Sequence, residues 1–302
     1  KSPLQLLQGK IAGLAISRSG GGDPTAGIQI QLRGINTVKG EDSPLIIIDG
    51  VPGGNLNTVA PEDINSIDVL RDGSAAAIYG SRGNAGVIII TTKKGTPGEP
   101  TVSYSAYAYS ERWLRKPRML TGEEYRQTIV DFQNSGDPFL ENLTSSMSDL
   151  GYNTDWLDVC SRDFPISSVH NFSITGGSSS TSYFASVNYR DLQGIIRESA
   201  NNQITGRINL THSAFNDKLV AKINLSGSLM KYNPVNYDSY KQMMDRNPTW
   251  PVYNDDGTYH EIQGYNRYNP LAELEQYDRD NKNTSLLASA EISYELLRGL
   301  SI

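Results

Sequence analysis

The sequence predicts a small α+β domain followed by the first antiparallel strands of a transmembrane β-barrel, and three observations predict it. After about residue 100 the hydrophobic periodicity becomes two and holds over segments of about ten residues, the length that crosses a bilayer when tilted. The connections between these segments run long, short, medium, short, long, as they do when turns lie on one side of a membrane and loops on the other. The most apolar runs, Leu45 to Ile48 and Val87 to Ile90, are four residues long, far below the roughly 20 that a spanning helix requires.

Residues 1–99 make up the first domain, built of short elements. Ser2 caps a helix with Pro3 at its first position and Leu4, Leu7 and Ile11 at helical spacing, and Gly9 ends the regular turn. Strands are expected over Gly27 to Arg33 and Pro44 to Ile48. The second closes at Asp49-Gly50, a turn dipeptide, and Pro52 stops the chain from continuing as a ladder strand. Pro61 opens a short turn with the acidic pair Glu62-Asp63, and Ile67 to Leu70 is again extended. Asp72 or Ser74 caps a helix over Ser74 to Tyr79 that Gly80 ends. Val87 to Thr92 is a β-branched strand, and Lys93 to Gly98 reads as a linker, which places the domain boundary there.

Residues 100–302 carry the alternation. In Thr181 to Arg190 the apolar Tyr183, Ala185, Val187 and Tyr189 interleave with Ser182, Ser186, Asn188 and Arg190, and Phe184 alone breaks the pattern. In Gln203 to Thr211, Ile204, Gly206, Ile208 and Leu210 alternate with Gln203, Thr205, Arg207, Asn209 and Thr211. Leu219 to Leu229 and Leu286 to Leu296 repeat it, and Val102 to Ser110 and Ser168 to Thr175 are weaker members, six strands in all. A soluble sandwich also alternates its residues, but it has no reason to sort its loops by side, which favours the barrel. The long connections, about 112–167 and 232–283, are not featureless: Thr121-Gly122-Glu123-Glu124 is a capping box opening a helix through about Gln133. Six strands close no membrane barrel, since the smallest need about eight and barrels with a plugged lumen about 22, so the chain reads as an incomplete part.

Composition narrows the function classes. The 302 residues have an apolar fraction of 37%, with 28 Gly and 17 Tyr, a balance that suits strands and turns. A net charge of −6 and no run of Lys or Arg beyond two residues leave no basic stripe for nucleic acid. The single cysteine, Cys160, excludes an internal disulfide framework, and with three scattered histidines it makes no metal-ligand spacing, so neither a metal nor a cofactor is expected. Cys160 reads as a small buried residue. The start, Lys1-Ser2-Pro3-Leu4, lacks the regions of a signal peptide, so export is argued from elsewhere or from a missing N-terminus.

Several ordered blocks resemble a known family. Leu7-Gln8-Gly9-Lys10-Ile11-Ala12-Gly13-Leu14, then Leu32-Arg33-Gly34, then Pro44 through Asp49-Gly50-Val51-Pro52 are similar to successive plug motifs of the SusC/RagA-like TonB-dependent transporters. The longest match runs from Pro61-Glu62-Asp63-Ile64 through Ile67 to Val87, with Arg71-Asp72, Tyr79-Gly80-Ser81-Arg82-Gly83 and Gly86, to Thr91-Thr92-Lys93-Lys94-Gly95. Asn153-Thr154-Asp155-Trp156 belongs to the same pattern, which is departed from at Gly73 and at Asn84-Ala85. The resemblance implies a plug over residues 1–99 and the N-terminal part of a barrel of about 22 strands over 100–302, in the bacterial outer membrane and surrounded by its lipid, with the long loops extracellular. It implies active import of a nutrient, an oligosaccharide before an oligopeptide, with the plug gating the barrel. It also implies a SusD-like surface lipoprotein lid, the TonB-ExbB-ExbD energising complex, and dimers of transporter–lid pairs. The family's N-terminal β-sandwich extension and TonB box are not in this chain.

The candidate residues divide between structure and function. Gly80 to Gly86 has the look of a phosphate loop but precedes a strand instead of joining a strand to a helix, so its glycines read as turn and packing residues of the plug. Gly34, Asp49, Gly50, Pro52, Asp72, Tyr79, Gly80, Gly83 and Gly86 are the structural plug positions. Asp49, Asp68 and Asp72 sit at turns and caps without a partnered histidine, which argues against acid–base chemistry, and no nucleophile–base spacing supports a hydrolase. By the resemblance, plug arginines face barrel glutamates, which makes Arg33 and Arg82 candidates to lock the plug to the wall, against a reading as ordinary surface charges. Trp250, Tyr253, Tyr259, Tyr265 and Tyr268 in the second long connection are candidates to contact ligand or lid, against a reading as rim packing. A surface or secreted β-rich binding module without transport is the competing reading, and detergent dependence separates the two.

Overall fold

The computed structural model describes the chain except residues 1–7, 10–13, 19, 21, 33–42, 71–78, 84, 145–146, 263–267, 278 and 298. The helix expected near Ser2 falls largely outside the described residues, as does most of the one expected over Ser74 to Tyr79. In the first domain, β1 (Leu14–Arg18) and β2 (Ile28–Leu32) form an antiparallel hairpin. A separate four-stranded sheet has the order β4-β3-β6-β5, from β3 (Leu45–Ile48), β4 (Val51–Pro52), β5 (Ile64–Leu70) and β6 (Val87–Thr92). The continuous apolar runs of β3 and β6 are explained by their position: they pair in parallel at the centre, and both faces are covered. Ile48, Ile88 and Ile90 join Leu14, Ile16, Leu32 and Val59 in one core, while Ile47 and Val87 point to the other face.

Pro52 corrects one expectation. It does lie in a ladder, opposite Ile47, but in a two-residue edge strand. A missing N–H is tolerated at an edge, and the strand ends at once.

The second sheet is antiparallel throughout, with the order β13-β12-β11-β10-β9-β8-β7. It comprises β7 (Gly98–Ser110), β8 (Ile166–Gly177), β9 (Thr181–Gln193), β10 (Ala200–Ala214), β11 (Leu219–Asn233), β12 (Asn281–Leu297) and the short β13 (Leu300–Ser301). All six expected strands are present, and they run longer than expected because the ladder continues where the chain turns polar on both faces, as at Asn201-Asn202 and Asn281-Lys282-Asn283. The sheet is open, with β7 at one edge and β13 at the other.

Burial in this sheet is inverted relative to a soluble protein. On β10, Asn209 is 3% exposed and the neighbouring Ile208 is 50% exposed. Gln203, Thr205, Arg207, Ser186, Asn188, Ser226 and Ser228 are buried as well, whereas Val187, Ile204, Leu225, Leu229, Leu286 and Ile292 are exposed. The polar face looks onto the first domain and the apolar face outward, as in a barrel whose solvent is lipid. Phe184, the one break in the alternation, is an apolar residue on the inner face and is buried. Register aligns the outward residues into rows: Tyr189, Ile204 and Leu229, then Val187, Gly206, Gly227 and Leu286, then Ala185, Ile208, Leu225 and Ala288.

The connections sort by end. Residues 178–180 and 215–218 are tight turns at one end, and 111–165, 194–199 and 234–280 lie at the other. The helix α1 (Gly122–Gln133) has the expected capping box between Thr121 and Glu124, and α2 (Pro138–Thr144) and α3 (Trp156–Val159) follow it. The second long connection carries α4 (Tyr237–Asp245) and α5 (Pro270–Gln276). Leu157, Cys160, Ile196, Met243, Leu271 and Leu274 bring the three connections into a core of their own. Cys160 is fully buried, and its thiol is pushed up to about 12 by that burial.

If the exposed rows face lipid, Ile208→Arg in the middle of the band should destabilise the protein by about 2–4 kcal/mol. Thr284→Arg, nearer the rim, should cost about 0–1 kcal/mol. Denaturant unfolding in lipid measures both.

Candidate functional site

The inner face of the sheet holds the first domain through three of its loops. The first is the turn at Asp49-Gly50, where Asp49 takes a left-handed backbone (φ 48) and Gly50 continues it (φ 87). That turn aims the Asp49 carboxylate at the sheet. Oδ1 accepts from the Thr92 N–H at 2.9 Å, Oδ2 from the Thr92 hydroxyl at 2.8 Å, and Oδ2 also from Nη2 of Arg207 on β10. The ion pair is buried, with the two side chains 8% and 2% exposed. Arg207 Nε donates to Asn209 Oδ1 at 2.9 Å, Asn209 donates to Asn224, and Asn224 Nδ2 donates to Ser289 Oγ at 3.1 Å. One polar chain therefore runs from β6 through the turn and across β10, β11 and β12.

The second loop is Pro61–Asp63, a single 3₁₀ turn with proline at its start. Buried Asp63 accepts from Ser186 Oγ on β9 and, at 3.4 Å, from Asn171 Nδ2 on β8. Glu62 accepts from Tyr107 on β7 at 3.3 Å and from Asn188 on β9 at 3.4 Å. Burial raises the Asp63 pKa above its ordinary 3.8, against the hydrogen bonds and the more distant Arg207. The third loop is Asn55–Asn57: Asn57 O accepts from Gln203 Nε2 at 2.7 Å, and Asn55 Nδ2 donates to Ser285 Oγ at 2.9 Å. Between these loops and the wall lies a cavity of about 1180 Å³, lined by Arg18, Glu62, Tyr109, Arg190, Gln203 and Tyr232 among others.

The sequence-derived candidates are distributed unevenly over this site. Arg33, Gly34 and Asp72 lie outside the described residues. Arg82 sits exposed in the 3₁₀ turn Gly80–Gly83 and forms no ion pair among the described residues. The described lock has the opposite polarity, a plug carboxylate facing a barrel arginine. Asp49 thus combines the turn role expected of it with a pairing role that was not. Tyr79 packs against Ile47 and Val87, and Gly83 is buried. Gly86 (φ 92) faces the Leu32 side chain with Leu70 O 3.2 Å from where a Cβ would stand, so only glycine fits. The sequence does not mark Arg207, which is one polar residue of an alternating strand with Asp49 158 positions away.

At the loop end, the Asn153-Thr154-Asp155-Trp156 block staples the two long connections. Thr154 N–H donates to Pro248 O at 2.7 Å, its hydroxyl donates to Trp250 O at 2.6 Å, and Trp156 Nε1 donates to Asn247 O at 2.9 Å. Asn153 Oδ1 accepts from the Gly122 N–H at the start of α1. Arg246 is buried with its guanidinium over both Trp156 and Trp250, at 4.8 and 5.3 Å from the ring centres. Of the aromatic candidates, Trp250 and Tyr268 line a cleft of about 570 Å³ with Met119, Tyr125, Met243 and Arg246. Tyr253 and Tyr259 pair with each other at 5.1 Å, the Tyr259 hydroxyl donates to Glu275, and Tyr265 lies outside the described residues. Burial and Glu273 push the Tyr268 hydroxyl up to about 12.

A small domain seated on the polar inner face of an open, outward-apolar antiparallel sheet is the architecture of a plug against part of the wall of an outer-membrane β-barrel. The family model of the TonB-dependent receptor plug domain matches residues 1–87. TonB-dependent receptor P26 of Formosa agariphila is 34% identical over 96% of this chain and 30% of its own length. TonB-dependent receptor SusC of Bacteroides thetaiotaomicron is 36% identical over 86% of this chain and 26% of its own. A chain of the RagAB peptide importer in its closed-closed state superposes with a TM-score of 0.81 at 23% identity, over 99% of this chain and 38% of that one. The chain belongs to the SusC/RagA-like TonB-dependent receptors of the outer membrane, and it spans under a third of the length of these two curated relatives.

Removing one partner of the lock strands the other as a buried charge, so Asp49→Ala or Arg207→Ala in the full-length receptor should each cost about 3–5 kcal/mol of plug stability. Asp49→Ala with Arg207→Met together should cost less than the sum, in a double-mutant cycle read by plug unfolding. Because the folded Asp63 pKa is raised, its contribution is fully present below 3.8 and is lost as pH rises through the folded value. Stability should therefore fall over that window in the wild type, and Asp63→Asn should flatten the fall.

Proposed function

We propose that this chain is the gate of a TonB-dependent importer: the plug and the first wall of a barrel that carries a nutrient across the outer membrane. The observation that carries the reading is the plug seated by buried polar bonds against the inner face of a lipid-facing sheet. Such a gate is closed at rest and opens when an external pull breaks a small set of bonds; on this reading the TonB-ExbB-ExbD complex supplies the pull. A SusD-like lipoprotein lid covers the loop end, and transporter–lid pairs form dimers. We assign Arg33 and Arg82 of the plug to locking it against the barrel wall.

The cargo is an oligosaccharide or an oligopeptide. The peptide importer RagAB is the fold neighbour whose description bears on this choice. Flat rings suit sugar faces as well as peptide side chains, and we assign Trp250 and Tyr268 to ligand or lid contact, with Tyr253 and Tyr259 bracing the hairpin beside them and Tyr265 in the same loop. No enzymatic step is assigned to the chain.

Replacing Trp250 and Tyr268 by Ala in the full-length receptor should weaken uptake of the cargo about tenfold, the effect of losing about 1.4 kcal/mol, with the plug still seated. Uptake assays with labelled oligosaccharides and oligopeptides check this. Unchanged uptake of both classes would remove the aromatic cleft from the account.

A further inference from the structure

Outward-facing lysines at the loop end of the sheet have no protein partner among the described residues. Register places Lys231 of β11 directly opposite Lys282 of β12, on the exposed face. Opposed residues in an antiparallel pair have Cβ atoms about 4.5–5.5 Å apart, and like charges there destabilise the pairing. The same two strands carry another cross-strand lysine, Lys222, and it faces Glu291 on the inner side with a 2.8 Å ion pair. The inner lysine has a carboxylate opposite it, whereas each outer lysine faces a lysine and forms no ion pair among the described residues.

Their height in the sheet says what anion meets them. The next outward row toward the membrane is Tyr189, Ile204, Leu229 and Thr284, and below it lie Val187, Leu286 and the rest of the apolar band. The row of the lysines itself is polar, with Asn202 beside Lys231 and Asp191 one strand further on, beyond Asn202. The pair thus stands one step above an aromatic and aliphatic belt, at headgroup level, where flexible ammonium groups reach phosphates. We propose that Lys231 and Lys282 together bind the phosphate of a lipid headgroup at the loop-end rim of the barrel. A phosphate between them converts the repulsive pair into two attractive contacts and fixes the height of β11 and β12 in the membrane. The inference rests on the barrel placement and is independent of what the receptor imports.

The test is native mass spectrometry of the full-length receptor, extracted in mild detergent, with phosphate-bearing lipids added back. The wild type should retain lipid, and Lys231→Ala/Lys282→Ala should lose it about tenfold. Lys218→Ala, an exposed lysine in the turn at the opposite end of β11, should retain it. Lys282→Glu places a carboxylate opposite Lys231, so the barrel should fold, shown by its heat-modifiable migration, and still lose the lipid. Excess inorganic phosphate should leave the lipid bound. Wild-type retention by either the double variant or Lys282→Glu would overturn the proposal, as would displacement of the lipid by inorganic phosphate.

Discussion

Asp49 and Arg207 form a buried ion pair between the two halves of the chain, and the loops Asn55–Asn57 and Pro61–Asp63 add separate hydrogen bonds to the same sheet. Neither charge reaches water, so each depends on the other and on the hydrogen bonds that satisfy the remaining atoms: Thr92 for the carboxylate, Asn209 for the guanidinium. A buried pair of this kind adds little net stability over an apolar contact, but losing one member is costly. That asymmetry suits a gate. The seated state is specific in register, and a partial displacement gains nothing until water replaces the lost partner.

The lock is possible because the sheet is built inside out. With lipid on one face, apolar residues go outward, and the inner face is free to be polar. The plug then meets Ser186, Asn188, Gln203, Thr205 and Arg207 instead of a greasy wall, and it is held mainly by hydrogen bonds. Leu287, Phe184 and Val169 are among the apolar residues on that face. A polar interface can be rehydrated when the plug moves, whereas an apolar one would expose its surface to water. At the loop end the logic reverts to that of a soluble domain, with Leu157, Cys160, Met243 and Leu271 packed in a conventional core under the Arg246–tryptophan stack.

Much of this was legible in the sequence. Period two over Thr181 to Arg190 and Gln203 to Thr211 locates β9 and β10 and their two faces, and the Thr121–Glu124 capping box locates α1. Of the hairpin of β1 with β2, β2 is legible within Gly27 to Arg33, whereas β1 at Leu14–Arg18 is not. Strand ends were underestimated where both faces turn polar, since alternation is the only signal that marks them. The lock was not legible: a strand reveals which face a residue takes but not which distant loop meets it, so Arg207 looked like its neighbours Thr205 and Asn209. The resemblance pointed to plug arginines, and the described bond runs from a plug aspartate to a barrel arginine.

The central claim is that the plug must leave this wall for cargo to pass. Bridging the two directly tests it: Asn55→Cys on the plug and Ser285→Cys on β12 in the full-length receptor, joined by a short bismaleimide. Asn55 and Ser285 already share a hydrogen bond of 2.9 Å, and the native Cys160 is buried and unreactive. The account predicts that the bridged receptor binds its cargo but imports none, while either single cysteine imports normally. Import by the bridged receptor at the unbridged rate would contradict it.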